Sequence, residues 1–153
     1  KDEANIHFNP LKIFVILFSF SYLIGEIFDI NMRLTLLINI IGLFLLIVFF
    51  VSFFICARIF FLHNEQLPPS TPTEKIIKSG IYSYTRNPIY ISFVGFQISM
   101  FLLFGNIIYL LSSLLLFLWI HFFVVLREET YLFNKFGQEY EKYKSTVPRW
   151  IFF

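Results

Sequence analysis

The sequence predicts an all-α integral membrane protein, a helical bundle of about four membrane-spanning helices. Three observations predict it. The first is composition: of 153 residues, 58% are hydrophobic and only 14% charged, where a soluble domain carries about 25% charged residues. Phe alone occurs 23 times, and a soluble fold of this length has too little interior to hide that much apolar surface. The second is a set of apolar runs near the roughly 20 residues that cross a hydrocarbon core of ~30 Å. The third is the placement of cations at one end of those runs. The same composition excludes disorder, and six Gly and six Pro exclude a fibrous repeat. A net charge of +2 gives no case for nucleic acid. Cys56 is the single cysteine, so no internal disulfide forms.

The elements follow in order along one domain, 1–153. Residues 1–5 carry two acids and do not read as the basic start of a signal peptide. Leu11 to Phe28 is the first span, with Glu26 and Asp29 marking its end. Leu34 to Leu62 is the second, apolar apart from Asn39, Ser52 and Arg58, and splitting it would add a fifth span. Residues 67–73, rich in Pro and Thr, form a stiff connector that cannot be regular helix. Ile89 to Phe104 is the third span, a little short. Asn87 sits where an N-cap belongs, and Pro88 suits the first turn. Gly105-Asn106 is a tight link that makes the third and fourth spans an antiparallel hairpin. Ile107 to Leu126 is the fourth, with His121 as its ionisable residue. That helix extends beyond the membrane to a C-cap at Gly137, and Gln138 to Lys144 is a short surface helix. Strands are disfavoured because no run alternates in polarity.

With four spans, eleven of the twelve Lys and Arg residues share a side with both termini and the 63–88 loop; only Arg33 lies opposite. The positive-inside bias makes that side cytoplasmic. Residues 1–72 then read as a two-span scaffold and 73–153 as the half that carries the polar clusters.

Two clusters lie on that side. One is Lys78-Ser-Gly-Ile-Tyr-Ser-Tyr-Thr-Arg-Asn-Pro-Ile-Tyr90. Free N–H groups at the third helix start, with Arg86 beside them, make a carboxylate or phosphate site, and Gly80 permits close backbone approach. The same residues also read as a helix cap with Tyr82, Tyr84 and Tyr90 as interfacial anchors. The other is Arg127-Glu128-Glu129. These acids lie about 100° apart on a helix, so one is expected to face the bundle and the other Arg127 or water. They read equally as the first solvated turn after a span. Phe136, Tyr140 and Tyr143 form a stripe that is an interfacial anchor or an aromatic pocket wall. His121 is a functional candidate inside a span or a neutral histidine bonded to a neighbour. His63 and Glu65 could flank a ligand. No metal-binding spacing, phosphate-binding Gly-rich loop or nucleophile elbow is present.

The stretch Thr73 to Tyr90 resembles the Gly-Pro-Tyr…Arg-(His/Asn)-Pro-x-Tyr segment of the isoprenylcysteine carboxyl methyltransferase family, with Ile81 where many relatives have Pro. Residues 127–143 and Val147-Pro-Arg-Trp150 resemble its Glu-Glu…Phe-Gly-x-x-Tyr-x-x-Tyr…Val-Pro-Arg tail. The resemblance covers about 73–153 of this sequence and extends to the superfamily that includes phospholipid N-methyltransferases. It implies a helical membrane enzyme with a cytoplasmic C-terminal region that binds S-adenosylmethionine, and a lipidic methyl acceptor, prenyl-cysteine or phospholipid, entering from the bilayer between helices. Carried over, Arg86, Asn87, Pro88, Tyr90, Glu128 and Glu129 form the cofactor site, closed by Tyr140, Tyr143 and Arg149. Gly80 and Tyr82 join it as cofactor-binding residues. Arg86, Glu128, Glu129 and Arg149 are the catalytic candidates; no metal is expected. The implied chemistry is in-line attack on a sulfonium methyl. The tail also resembles that of membrane sterol reductases, so a nicotinamide-dependent reductase is the alternative enzyme, and a non-catalytic helical membrane protein the alternative outside enzymes.

Overall fold

The structure is a computed structural model and describes residues 8–67 and 71–151. The expectations for residues 1–5 and for Pro68, Pro69 and Ser70 of the connector lie outside the described residues. Helix α1 spans Pro10–Phe28, started by the Asn9 side chain, which accepts from the Leu11 N–H, and ended by Asp29 in the left-handed region. Helix α2 is one unbroken element, Leu36–Leu62. Its 27 residues cover about 40 Å, so the option of a fifth span made by splitting it is not realised. A 3₁₀ turn at Gly80–Ser83 precedes α3, Pro88–Phe104. Helix α4, Ile107–Ile120, passes through a π turn, His121–Val125, into α5, Leu126–Phe136, and α6, Gln138–Thr146, completes the order.

Among the described residues, each of the four apolar runs forms a helix. Three of them, Pro10–Phe28, Leu36–Leu62 and Ile107–Phe136, are long and apolar enough to cross a membrane. The fourth, α3, has 17 residues, or about 25 Å, and remains the short one. The outward faces of α1 and α2 carry exposed Leu, Ile, Val and Phe side chains, which suits lipid contact.

Helices α3 and α4 form the centre as an antiparallel hairpin, with α2 against α3 and α1 against α4. In lipid, polar atoms must find partners within the protein. Asn39 of α2 donates to the Leu102 and Leu103 carbonyls at 3.2 and 2.7 Å, which would otherwise be unpaired at the end of α3. Ser21, Ser112 and Gln97 link α1, α4 and α3 in one buried chain. Gly105 turns α3 into α4 at φ 72°, and a Cβ there would collide with the Met32 carbonyl. The Met32 N–H donates to the Gly105 carbonyl at 3.0 Å, so the α1–α2 and α3–α4 links meet at one end. The connector, the start of α3, α5 and α6 gather at the other.

Candidate functional site

The site starts with the π turn. Leu116 and Ile120 of α4 are fully buried. In a straight α-helix, advancing about 100° per residue, Glu128 would point about 80° and Glu129 about 180° away from Ile120. The π turn at His121–Val125 inserts one residue into the helix. Those offsets fall to about 20° and about 80°, and both carboxylates come to the bundle side. The expectation that one of them would turn to Arg127 or water is therefore corrected: both have partners inside the site.

Glu129 holds two guanidinium groups. Arg149 donates Nε and Nη2 to its two oxygens at 2.8 and 2.7 Å, a bidentate pair. Arg86 donates Nη1 to Oε1 at 2.6 Å. Arg86 is itself fixed by donating Nε to the Val147 carbonyl at 3.0 Å and Nη1 to the Tyr140 hydroxyl at 3.3 Å. Glu128 is placed differently: the Tyr90 hydroxyl donates to its Oε1 at 3.0 Å. One carboxylate is thus held by two cations, and its neighbour by a neutral hydroxyl.

Arg86, Tyr90, Glu128, Glu129 and Tyr140 line a cavity of about 140 Å³. Of the residues picked out from sequence, Tyr82, Arg86, Asn87, Tyr90, Glu128, Glu129, Tyr140 and Tyr143 line it. Gly80, Pro88 and Arg149 do not. Gly80 starts the 3₁₀ turn at φ 62° beside Ile59, Pro88 is the buried first residue of α3, and Arg149 meets the lining residues Glu129 and Asn87 from behind. Asn87 stands at the start of α3 without capping it; its Nδ2 donates instead to the Arg149 carbonyl at 2.9 Å, because the 147–150 segment lies across that turn. Tyr143 donates to the Tyr82 carbonyl at 2.7 Å. His63 turns away and bonds the Ile59 carbonyl at 2.8 Å. His121 accepts the Trp150 indole N–H at 3.2 Å, which matches the neutral, bonded histidine.

The connector supplies further lining, of which the sequence expectation named Glu65 alone. Glu65 is buried, and its Oε1 accepts the Glu74 and Lys75 N–H groups at 3.0 and 3.1 Å. Thr73 donates its N–H to the Tyr131 hydroxyl at 3.2 Å. Glu65, Thr73, Lys75 and Tyr131 all line the cavity. The one available signal was an acid set just after a long apolar run, and it pointed to Glu65 alone.

Burial pushes the Tyr140 hydroxyl up to about 12; the charge of Glu129 adds to this, and the bond from Arg86 opposes it. Tyr143 and Tyr82 are also raised by burial. The bond to Glu129 lifts Arg149 above its already high ordinary value. The site therefore keeps its tyrosines as neutral hydroxyls and Arg149 as a cation at physiological pH. No group of three or more His, Cys, Asp or Glu able to hold a metal occurs among the described residues.

Comparison with known proteins fits this arrangement. A 79-residue stretch, 50% of the chain, is 38% identical to a Protein-S-isoprenylcysteine O-methyltransferase of Schizosaccharomyces pombe. The match covers 32% of that protein, so the chain spans about a third of its length. A 63-residue stretch, 41% of the chain, is 40% identical to the whole of an uncharacterized protein of Haemophilus influenzae. No solved structure matches. The family model described as phospholipid methyltransferase matches residues 52–139, from the second half of α2 through the cavity to the first turn of α6. With more than half of the chain matched, and with that match enclosing Arg86, Tyr90, Glu128 and Glu129, the protein belongs to the phospholipid methyltransferase family.

Proposed function

We propose that this protein is a membrane methyltransferase that uses S-adenosylmethionine to methylate a lipidic acceptor at the cytoplasmic face. The acceptor is the carboxylate of an isoprenylcysteine-like molecule or the amine of a phospholipid. The observation that carries the reading is the unequal treatment of the two acids: Glu129 is neutralised by Arg86 and Arg149, whereas Glu128, among the described residues, accepts from the Tyr90 hydroxyl alone. Glu128 thus keeps its second carboxyl oxygen for a ligand.

The residues fit the cofactor. Glu128 suits an amino or hydroxyl group, Arg86 a carboxylate, and the rings of Tyr82, Tyr131, Tyr140 and Tyr143 suit an adenine or a sulfonium. When bound, S-adenosylmethionine supplies an already activated methyl group. The chain's own task is then to orient the acceptor and exclude water. Tyr90 holds the Glu128 carboxyl in one direction. For an ammonium acceptor, Glu128 is the group that removes the proton, because Glu129 is already engaged. For a carboxylate acceptor no base is needed, and Arg86 provides alignment. The cytoplasmic assignment is supported by Arg33 standing alone opposite the site-end cations.

Isothermal titration of the purified protein in detergent tests the reading. S-adenosylmethionine binds, NADPH does not, and Glu128→Gln weakens binding about tenfold, as expected for the loss of one buried hydrogen-bonded contact. Binding of NADPH alone would replace the proposal with a reductase, and binding of neither with a non-catalytic membrane protein.

A further inference from the structure

Residues 147–150 lie across the turn that opens α3. The Arg86 N–H donates to the Pro148 carbonyl at 3.0 Å, and Arg86 Nε to the Val147 carbonyl at 3.0 Å. Thr85 Oγ1 and Asn87 Nδ2 both donate to the Arg149 carbonyl, at 3.2 and 2.9 Å. The Arg149 side chain then reaches Glu129. These contacts set the direction of Arg86, and they require the segment to stay where it is.

Trp150 seats the segment from the far side. It is 4% exposed, and a buried indole N–H must find an acceptor. That acceptor is His121 Nδ1 at 3.2 Å, available when the ring is neutral with its proton on Nε2. Phe117 packs on the indole at a centroid distance of 5.0 Å. His121 is also the first residue of the π turn that brings Glu128 and Glu129 to the bundle side. Neither His121 nor Trp150 lines the cavity.

We propose that His121 and Trp150 are positioning residues: their hydrogen bond seats residues 147–150, and through them Arg86 and Glu129 are aimed into the cavity. This rests on the methyltransferase reading for its functional readout, and a second readout is independent of it. Trp150→Phe keeps a ring in place and deletes the N–H. His121→Phe deletes the acceptor, and His121→Asn keeps an acceptor oxygen.

Each of the two Phe variants is expected to lose about tenfold in S-adenosylmethionine affinity by calorimetry, the scale of one buried hydrogen bond. The double variant is no worse than either single, since both remove the same bond. His121→Asn recovers most of the loss, which a purely space-filling role would not allow. In parallel, trypsin cuts after Arg149 faster in His121→Phe than in the wild type, reporting release of the segment without reference to any cofactor. Wild-type affinity in both single variants, additive losses in the double variant, or unchanged cleavage after Arg149 would overturn the proposal. If the wild type binds no cofactor while cleavage still rises in His121→Phe, the seating stands and the methyltransferase reading fails.

Discussion

Glu129→Gln should destabilise the protein more than almost any other single polar change at the site. The substitution is nearly isosteric, yet it removes the charge that holds two guanidinium groups. The Glu129 side chain is 12% exposed and that of Arg86 is 9% exposed. Removing one partner of such a buried pair costs about 3–5 kcal/mol, because the other charge is left uncompensated. Arg149 is 26% exposed, so its share is closer to that of a surface pair, below about 1 kcal/mol. A total of about 4 kcal/mol lowers the melting temperature by about 10 °C for a chain of this size. Circular dichroism melts of both proteins in one detergent measure it. A double-variant cycle supplies the stricter check: Arg86→Gln combined with Glu129→Gln should cost at least about 1.5 kcal/mol less than the sum of the singles. A fall of less than about 2 °C for Glu129→Gln, or additive costs in the cycle, would refute the account of this acid as the structural clasp of the site.

Glu128→Gln should behave in the opposite way. It keeps an amide oxygen that still accepts from Tyr90, at a cost of about 1 kcal/mol or less, so the melting temperature moves little, while turnover of an amine acceptor falls by about a hundredfold or more; unchanged turnover of such an acceptor would remove Glu128 from proton transfer. The tyrosines predict an alkaline limit. A folded-state Tyr140 value of about 12, above the ordinary value of about 10, means its neutral form is favoured by the fold. That contribution is complete below about pH 10 and is lost as pH rises through about 12. Tyrosinate absorbance should therefore show a late phase that Tyr140→Phe diminishes, and a wild-type titration finished by about pH 10.5 would contradict the buried placement. Gly105→Ala should cost at least about 2 kcal/mol, combining a left-handed backbone with a collision against Met32. A melt of that variant equal to the wild type would show that the α3–α4 link is not held as described.

The spans were legible because apolar length alone specifies them. In lipid, a helix closes its own backbone hydrogen bonds, so Leu36–Leu62 and Ile107–Ile120 need no partner to be recognised. The helix ends were legible where residue chemistry marks them, at Pro88, Gly105 and Gly137. The π turn carried no such mark: His121–Val125 contains no Gly or Pro and reads as continuous helix. Missing it, a regular helix separates Glu128 from Glu129 and sends one away from the bundle, where the structure shows both turned inward. The partnership of Glu129 with Arg149, twenty residues later, depends on where the 147–150 segment lies, which no local pattern encodes. The same holds for Asn87, whose position before Pro88 reads as a cap but whose amide is taken by that segment. Eight of the residues picked out for the site do line one cavity, because two separated motifs fall at the same end of antiparallel helices. The part contributed by Thr73 and Lys75 was hidden because it comes from a connector folding back over the site.

The central claim is methyl transfer at this cavity to a lipidic acceptor. It is tested most directly by incubating the purified protein in lipid bilayers with S-adenosylmethionine labelled on its methyl group, offering total membrane lipids and prenyl-cysteine analogues, and separating the products. The account predicts label in a lipid or prenyl-cysteine product with the wild-type protein, and its loss with Glu128→Gln for an amine acceptor or with Arg86→Ala for a carboxylate. Absence of label from every acceptor, under conditions where the protein is folded and binds the cofactor, would contradict it.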